Sequence, residues 1–456
     1  MPLRESFQRF LGSCAARTLA REKPFIIAVT GTVGKSSAKQ AIAAALKADE
    51  PASLTRVSRK NYNNELGLPL TIFERDAPGR SVLGWMSLLW KAWATSVGLR
   101  QTGIRTFVFE MGADKPGDLA YLTSIAVPDI SVVTAVTPED PSWAPVHAAN
   151  YPSIDALAEE KATLVRATKP EGMAILNIDD ARVAAMRQGA QCHIATFGRD
   201  ETADVRLIET RVITETSPHG AVPTGLEVVL EYFHRRKTLL IPGVFGSAYG
   251  YAICAAAAVA VTMDIGQEAI DEMPSHLTPL PGRTRIIPGI KGTTLLDDSY
   301  NASPVAVLSA IRDLAALPLS EHQRRAACIG EMRELGEQAE MLHRRVGQEA
   351  AEQGIDLLVA CGIFGRAIAD GARTAGMPEE RIKVFQDTPE AGLFLQDWIK
   401  PGDVVLAKAS EGPLPSDPNF GKVTGVRADR IIKELMAEPD KAEQLLCRQT
   451  EAWQGK

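Results

Sequence analysis

The sequence lacks the features that mark several large classes of protein. Its six cysteines lie far apart and form no C-x-x-C pair, so they fit neither a zinc ribbon nor a disulfide framework, and they indicate a reducing compartment. It has no basic excess: the net charge is −6, which argues against general binding to nucleic acid. No internal repeat or low-complexity tract interrupts it. We therefore expect a cytoplasmic globular protein without a nucleic-acid partner.

A convincing membrane span is also missing. The most apolar stretch, VLGWMSLLWKAWATSVGL at residues 82–99, carries Lys91 in its middle and Gly84 and Gly98 near its ends. We interpret it as an amphipathic helix packed on the body of the protein, with contact to a membrane surface as the alternative. Residues 1–23 are basic without a long apolar run, so they predict a short helix rather than a secretory signal.

What is present is an alternation of strands and helices. Apolar runs such as FIIAVT, TFVFE and MAILN are typical of buried strands and alternate with helical patterns, which predicts an α/β fold with a mostly parallel sheet. Residues 203–241 predict an antiparallel patch, and the Pro- and Gly-rich segment 278–289 precedes a second α/β set. We predict a short basic helix at 1–23, a central α/β domain at 24–280 and a C-terminal Rossmann-like α/β domain at 281–456.

The stretch IIAVTGTVGKSSAKQAI places a glycine-rich turn between a strand and a helix. It fails the usual pattern G-x-x-x-x-G-K-[ST], because Val29 stands five positions before Gly34. The turn nevertheless allows close approach to phosphate, Lys35 can bridge the β- and γ-phosphates, and the Ser36 hydroxyl can ligate Mg²⁺. The alternative is a structural turn with a surface lysine. The loop predicts that residues 24–280 form a P-loop ATPase domain. We predict that the following residues bind nucleotide: Gly31, Thr32, Gly34, Lys35, Ser36 and Ser37.

Polar side chains follow several of the other predicted strands. Glu110 ends TFVFE, and a carboxylate at the C-terminal edge of a parallel sheet is well placed for a Mg²⁺ contact. Asp298 and Asn301 lie in LLDDSYNASP, and Asn177 lies in NIDD. Such clusters either face a ligand between domains or cap the next helix, and the residues alone leave both interpretations open.

His147 and Lys161 form a weaker pair, fourteen positions apart. Histidine is a common metal ligand. Lys161 lies beside Glu159 and Glu160 in the helical run LAEEKATLV, where a lysine is normally a solvated residue. Residue chemistry alone therefore favours a surface position for Lys161.

Several motifs occur in the order that the Mur ligase family shows. They are GTVGKSS, KNYNNELGLPLTI, FEMGADKPGDLAYL, PLPGRTRI, LLDDSYNASP and IGEMRELGEQAEMLH. From about Lys23 to about Ser410 the chain resembles these ATP-dependent amide-forming enzymes of peptidoglycan synthesis. It is most similar to the branch that adds D-alanyl-D-alanine to UDP-N-acetylmuramoyl-tripeptide.

The resemblance implies roles that the residues alone do not give. His147 matches a metal-binding histidine, and Lys161 matches a carbamylated lysine, whose negative charge would hold Mg²⁺. Arg283 and Asp298 match residues that contact ATP across the cleft between the central and C-terminal domains. The implied cofactors are ATP and two Mg²⁺ ions. The implied catalytic residues are Lys35, His147, Lys161, Asp298 and Asn301. The implied metal ligands are Ser36, Glu110, His147 and Lys161. Three further residues join the nucleotide site: Asn177, Arg283 and Asp298.

The implied reaction joins D-alanyl-D-alanine or a similar amine to a muramoyl-peptide through an acyl phosphate. The chain departs from the family in four places. The stretch TPEDPSWAP before His147 looks like an insertion that could reshape the metal loop or the acceptor site. Only about 23 residues precede the first strand, where the family has a UDP-sugar domain, so UDP could be recognised weakly, differently or by a partner chain that supplies substrate recognition. Phe245 and Gly246 replace a His-Asn element near adenine, and Glu411 replaces an arginine. The alternatives are a Mur-like ligase with another acceptor, of polyglutamate, cyanophycin or amidating type, and a nucleotide-binding protein with reduced catalysis.

Overall fold

The computed structural model describes residues 2–59, 62–79, 81–136, 150–333, 335–410 and 426–449, with the backbone alone for residues 2–5. These residues form one sheet of nine strands and one of six, each covered by helices. The predicted α/β class, with a large mostly parallel sheet and a second α/β unit, is confirmed.

The first sheet combines parallel and antiparallel pairing. Its strands are β1 (Phe25–Thr30), β2 (Thr55–Val57), β3 (Thr106–Glu110), β4 (Ile130–Val133), β5 (Met173–Asn177), β6 (His193–Gly198), β7 (Val205–Ser217), β8 (Gly220–Tyr232) and β9 (Arg235–Pro242). They lie in the order β2-β3-β1-β4-β5-β6-β7-β8-β9. Pairing is parallel from β2 to β7 and antiparallel from β7 to β9. The antiparallel patch therefore extends the parallel sheet.

Helices cover both faces of this sheet. They are α1 (Pro2–Glu22), α2 (Lys35–Ala45), α3 (Gly67–Phe73), α4 (Val82–Ser96), α5 (Asp118–Ile125), α6 (Ile154–Arg166), α7 (Ala181–Ala185), α8 (Ser247–Thr262) and α9 (Gln267–His276). Side chains alternate along β1. Ile27 and Val29 consequently pack with α2 and α8, whereas Ile26 and Ala28 pack with α1, α3 and α4.

The second sheet has the order β10-β11-β15-β12-β13-β14, with antiparallel pairing only at β10. These strands are β10 (Arg285–Pro288), β11 (Thr294–Asp297), β12 (Arg325–Ile329), β13 (Leu357–Cys361), β14 (Ile382–Phe385) and β15 (Val404–Lys408). The helices are α10 (Pro304–Ala315), α11 (Ala339–Glu352), α12 (Gly365–Thr374), α13 (Thr388–Trp398), α14 (Ala428–Leu435) and α15 (Ala442–Leu445). The proposed boundary at 280/281 lies between α9 and β10.

Several contacts join the two units. The backbone N–H of Ser247, at the start of α8, lies 3.2 Å from the carboxylate of Asp313 in α10. The tip of the β7–β8 hairpin meets Gln323, whose side-chain amide donates to the carbonyls of Ala221 at 2.8 Å and Gly402 at 2.6 Å. Ala221 N–H donates back to the Gln323 side chain at 2.9 Å.

Helix α4 occupies the stretch that the sequence predicts as an amphipathic helix. Leu88 and Ala92 are buried, and they belong to the same core as Leu11 of α1. This packing confirms the predicted helix on the body of the protein, which spans Val82–Ser96, and contact with a membrane surface would involve its outer face. Among the described helices, none combines the length and the apolarity needed to cross a bilayer.

Candidate active site

The turn after β1 is built around two glycines. Val29 lies inside the strand, and α2 begins at Lys35, two residues earlier than the sequence predicts, so the loop is short. A Cβ on Gly31 would lie 2.0 Å from Thr134 Oγ1, which excludes any larger residue there. Gly34 caps α2 with φ +84°, and it has no side chain to accept from the first-turn N–H groups. Those N–H groups are therefore available to an anion.

Two lysines converge on one carbonyl of this loop. Lys35 Nζ donates to Gly31 O at 2.8 Å and to Thr32 O at 3.3 Å. Lys161, which is 2% exposed, reaches the same Gly31 O from α6 at 2.9 Å. Desolvation, with the charge of Lys35 second, holds the pKa of Lys161 well below its ordinary value. The surface position that residue chemistry favoured for Lys161 is therefore wrong.

The pKa of Lys35 is also lowered, chiefly by desolvation. The positive charge of Arg283, from the segment that leads into the second sheet, adds to this shift, whereas Glu110 opposes it. Arg283 therefore lies close enough to the loop for its charge to act there. Its guanidinium stacks 4.3 Å from the ring centroid of Tyr300.

Glu110 ends β3 beside the loop and is 3% exposed. Its Oε1 accepts from Ser36 Oγ at 3.2 Å and from Asn63 Nδ2 at 3.4 Å. Lys39 Nζ lies 3.2 Å from its Oε2. Desolvation alone would raise the pKa of Glu110, but the charges of Lys39 and Lys35 together bring it below the ordinary value. An ionised carboxylate and a hydroxyl thus lie side by side at the start of α2.

Thr32 and Ser37 complete the predicted loop residues. The Thr32 backbone N–H donates to Ala135 O at 2.6 Å, and its buried hydroxyl has no hydrogen-bond partner within the described part of the chain. That hydroxyl can serve a bound ligand without breaking an existing bond. Ser37 lies in the first turn of α2.

Asn177 stabilises the loop indirectly, through Thr134. Its side chain donates to Thr134 O at 2.8 Å, and Thr134 Oγ1 in turn donates to Val33 O at 2.6 Å. Asn177 is buried, so it acts on the loop through Thr134. Sequence reasoning missed Thr134, although it directly follows β4, the parallel neighbour of β1.

The second unit contributes a buried ion pair. Asp298 accepts from the Thr284 N–H at 3.2 Å and is paired with Lys408, whose Nζ also donates to Asn301 O at 3.0 Å. The Asn301 side chain accepts from the backbone N–H of Ala302 at 2.9 Å and is exposed. Asp298 is therefore held in place by the second sheet, whereas the Asn301 side chain mainly stabilises its own turn.

His147 and Glu411 lie outside the described residues. Phe245 is fully buried in the core of the second unit, and Gly246 has φ +91° beside Asp313. Among the described residues, no three His, Cys, Asp or Glu side chains form a metal-binding cluster.

Comparison with known proteins places these features in a family. Residues 91–260 match the Mur ligase middle domain, and residues 282–411 match the Mur ligase glutamate ligase domain. A UDP-N-acetylmuramoyl-tripeptide–D-alanyl-D-alanine ligase from Synechocystis is 31% identical over 418 residues, which cover 91% of this chain and 75% of the relative.

The chain belongs to the Mur ligase family. Members of this family are ATP-dependent amide-forming ligases, and this membership confirms the predicted enzyme class and the use of ATP. The enzyme of the same name from Mycobacterium tuberculosis is 29% identical, covering 88% of this chain and 73% of the relative.

Solved structures agree on the architecture of this Mur ligase. MurF from Thermotoga maritima, in complex with ADP, has a TM-score of 0.69 at 22% identity, covering 96% of this chain and 84% of that one. MurF from Acinetobacter baumannii has a TM-score of 0.68 at 24% identity, covering 88% and 77%. These likenesses establish the fold.

Proposed function

We propose that this Mur ligase uses ATP to activate a muramoyl-peptide carboxylate and joins it to D-alanyl-D-alanine or a similar amine. The names of its relatives supply the substrate class. The observation that carries the proposal is the meeting of Lys35 and Lys161 at Gly31, beside the Ser36–Glu110 pair.

The chemistry has two balanced steps. A carboxylate oxygen of the first substrate attacks the γ-phosphorus of ATP, the bond to ADP breaks, and an acyl phosphate forms. The amine then attacks the acyl carbon, a proton leaves the nitrogen, and phosphate departs as the amide forms. Lys35 and the N–H groups at the start of α2 would bind the phosphates and stabilise the charge that develops on the transferred group.

Mg²⁺ fits the donor chemistry of this site. Ser36 and Glu110 offer a hydroxyl and a carboxylate oxygen, the hard ligands that Mg²⁺ prefers, and nucleotide phosphates and water supply the remainder. When bound, the ion neutralises phosphate charge. We propose that Ser36 and Glu110 hold one ion and that His147 and a carbamylated Lys161 hold a second.

The environment of Lys161 supports carbamylation. Its lowered pKa, which comes first from desolvation, increases the fraction of neutral amine. The Nζ lone pair would attack the carbon of CO₂, a C–N bond would form, and one proton would leave to solvent. The product is an anion with two oxygen donors, whereas an ammonium at this position would repel a cation.

An ADP-release assay with a panel of substrates tests the proposed function. We expect ADP formation that requires both UDP-muramoyl-tripeptide and D-alanyl-D-alanine. Removing UDP from the first substrate, and replacing the amine donor, separate this reaction from that of a ligase with another acceptor. No ADP release with any combination would support the alternative of reduced catalysis and contradict the proposal.

A further inference from the structure

The outer face of α4 is apolar from end to end. Leu83, Met86, Trp90, Trp93 and Val97 recur every three or four positions, so they share one side of the helix and its C-cap. Their exposed fractions are 77%, 61%, 62%, 39% and 48%. We call these five residues the α4 stripe. The helix therefore has two apolar faces, and only the inner one is covered by the protein.

Helix α1 enlarges this surface. It runs alongside α4 in the same direction: the Phe7 and Trp85 rings lie 6.3 Å apart near one end, and Arg21 donates to Thr95 O at 2.6 Å near the other. Phe7 and Phe10 are 36% and 39% exposed. Contiguous exposed apolar surface on a soluble protein usually marks an interaction site.

Exposed basic residues lie beside the stripe. Arg17 on α1 and Arg100 just after α4 are exposed, and Lys91 is partly exposed on α4. The nearby acidic residues Glu22 and Glu74 are paired with Arg21 and Arg56. Residues 82–100 contain no acidic residue. A second copy docked on this face would bring these cations together, which is unfavourable. An anionic partner matches them.

The indole rings favour a lipid surface over a protein partner. The N–H groups of Trp90 and Trp93 have no hydrogen-bond acceptor among the described residues, and the rings lie 5.0 Å apart on the outside of a convex helix. Tryptophan is enriched at the boundary between membrane and water, where its ring is apolar and its N–H is solvated. A convex apolar stripe bordered by cations is the pattern of a helix that lies in the bilayer interface.

We propose that the α4 stripe, together with Phe7 and Phe10, docks this Mur ligase on the surface of an anionic lipid bilayer. The helices would lie in the interface plane, with the apolar side chains among the lipids and the cations at the headgroups. The net charge of −6 opposes adsorption through other faces. The proposal does not depend on the substrate of the ligase.

Vesicle co-sedimentation of the full chain tests this proposal. We expect binding to vesicles of equal parts phosphatidylglycerol and phosphatidylcholine, weaker binding at high salt, and little binding to pure phosphatidylcholine. The double variant Trp90→Ser/Trp93→Ser should reduce the apparent affinity at least about tenfold. Leu83→Ser/Met86→Ser should do the same while retaining all the tryptophans. Wild-type tryptophan emission should shift to the blue on addition of the anionic vesicles.

Leu393→Ser is the matched control, since Leu393 is 56% exposed on α13, in the second unit. It should bind vesicles like the wild type, and all variants should retain nucleotide turnover and a wild-type circular dichroism spectrum. Absence of binding by the folded wild type would overturn the proposal, as would unchanged binding by both double variants. Self-association that the stripe variants abolish, without any vesicle binding, would assign the surface to a second copy instead.

Discussion

Lys161 Nζ lies 2.9 Å from the carbonyl oxygen of Gly31, although 130 positions separate the two residues. Helix α6, which follows β4, therefore places the buried amine of Lys161 beside the loop that follows β1. This relationship links the proposed carbamate to the phosphate loop, and it makes Lys161 the most informative residue to replace.

Replacing Lys161 with alanine should lower ligase activity by about 10²–10³-fold, because the second cation site would lose its anionic ligand. Acetate or propionate should restore part of the activity to this variant, since a small carboxylate can occupy the space that the side chain leaves. Steady-state ADP release with and without acetate provides the measurement.

Two controls separate the carbamate from a structural role for Lys161. Wild-type activity should fall when dissolved CO₂ and bicarbonate are removed and recover when bicarbonate is returned. Lys161→Arg keeps the positive charge but cannot carry CO₂, so it should be inactive and should not respond to bicarbonate. Full activity in this variant would rule out the carbamate.

Lys35→Ala should remove nucleotide turnover, with a loss of about 10²–10³-fold in kcat, because the charge that develops on the transferred phosphoryl group loses its nearest cation. Lys47→Ala is a matched control: Lys47 follows the same helix and pairs with Glu272 at the surface. Its turnover should match the wild type. Equal turnover in the two variants would disprove the assignment of the loop.

The Glu110–Lys39 pair allows stability to be separated from catalysis. Glu110→Gln removes the carboxylate that pairs with the buried Lys39, and breaking a buried pair costs about 3–5 kcal/mol. Changing both residues, as Glu110→Gln/Lys39→Met, should recover much of the free energy of unfolding measured in urea. Mg²⁺-dependent turnover should remain low in the double variant, because the carboxylate ligand is still missing. Recovery of both properties would show that Glu110 has only a structural role.

His343 should make the stability of the protein depend on pH. It is fully buried, accepts from the Met332 N–H at Nε2 at 2.9 Å, and stacks on Phe364. Desolvation lowers its pKa from 6.5 to about 4. Because the folded state disfavours protonation of His343, the stability that the neutral side chain contributes is complete above pH 6.5. It is lost as the pH falls toward 4.

The expected loss is on the order of 3 kcal/mol, seen as a steeper decline in unfolding free energy for the wild type than for His343→Gln. His234→Gln is the control, since His234 is exposed in the turn between β8 and β9. It should decline like the wild type. Parallel curves for wild type and His343→Gln would contradict this account.

The fold was largely predictable because its signals are local. Apolar β-branched runs mark the strands of both sheets, and the short turn after Val29 is visible in the spacing of Gly31 and Gly34. The start of α2 was misplaced by two residues, because an αL glycine lets a helix begin directly after it, with no polar cap residue to signal the start.

The site was harder to predict because its contacts join distant segments. Glu159 and Glu160 suggested a solvated setting for Lys161, yet Leu157, Lys161 and Leu164 share the buried side of α6. The helical spacing of these three residues indicates that Lys161 is buried, whereas the local composition does not. Lys39, four positions after Lys35 on α2, carries a similar signal, which sequence reasoning missed.

The long β7–β8 hairpin has a mechanical consequence. Each strand has 13 residues, a length of about 40 Å. At one end of the hairpin β7 pairs with β6, and at the other end the turn is hydrogen-bonded to the Gln323 side chain. The hairpin is therefore held at both ends and couples the two units, because unfolding of either unit would release one end of the hairpin. Loss of the Gln323 contacts should consequently make the thermal unfolding of the two units less cooperative.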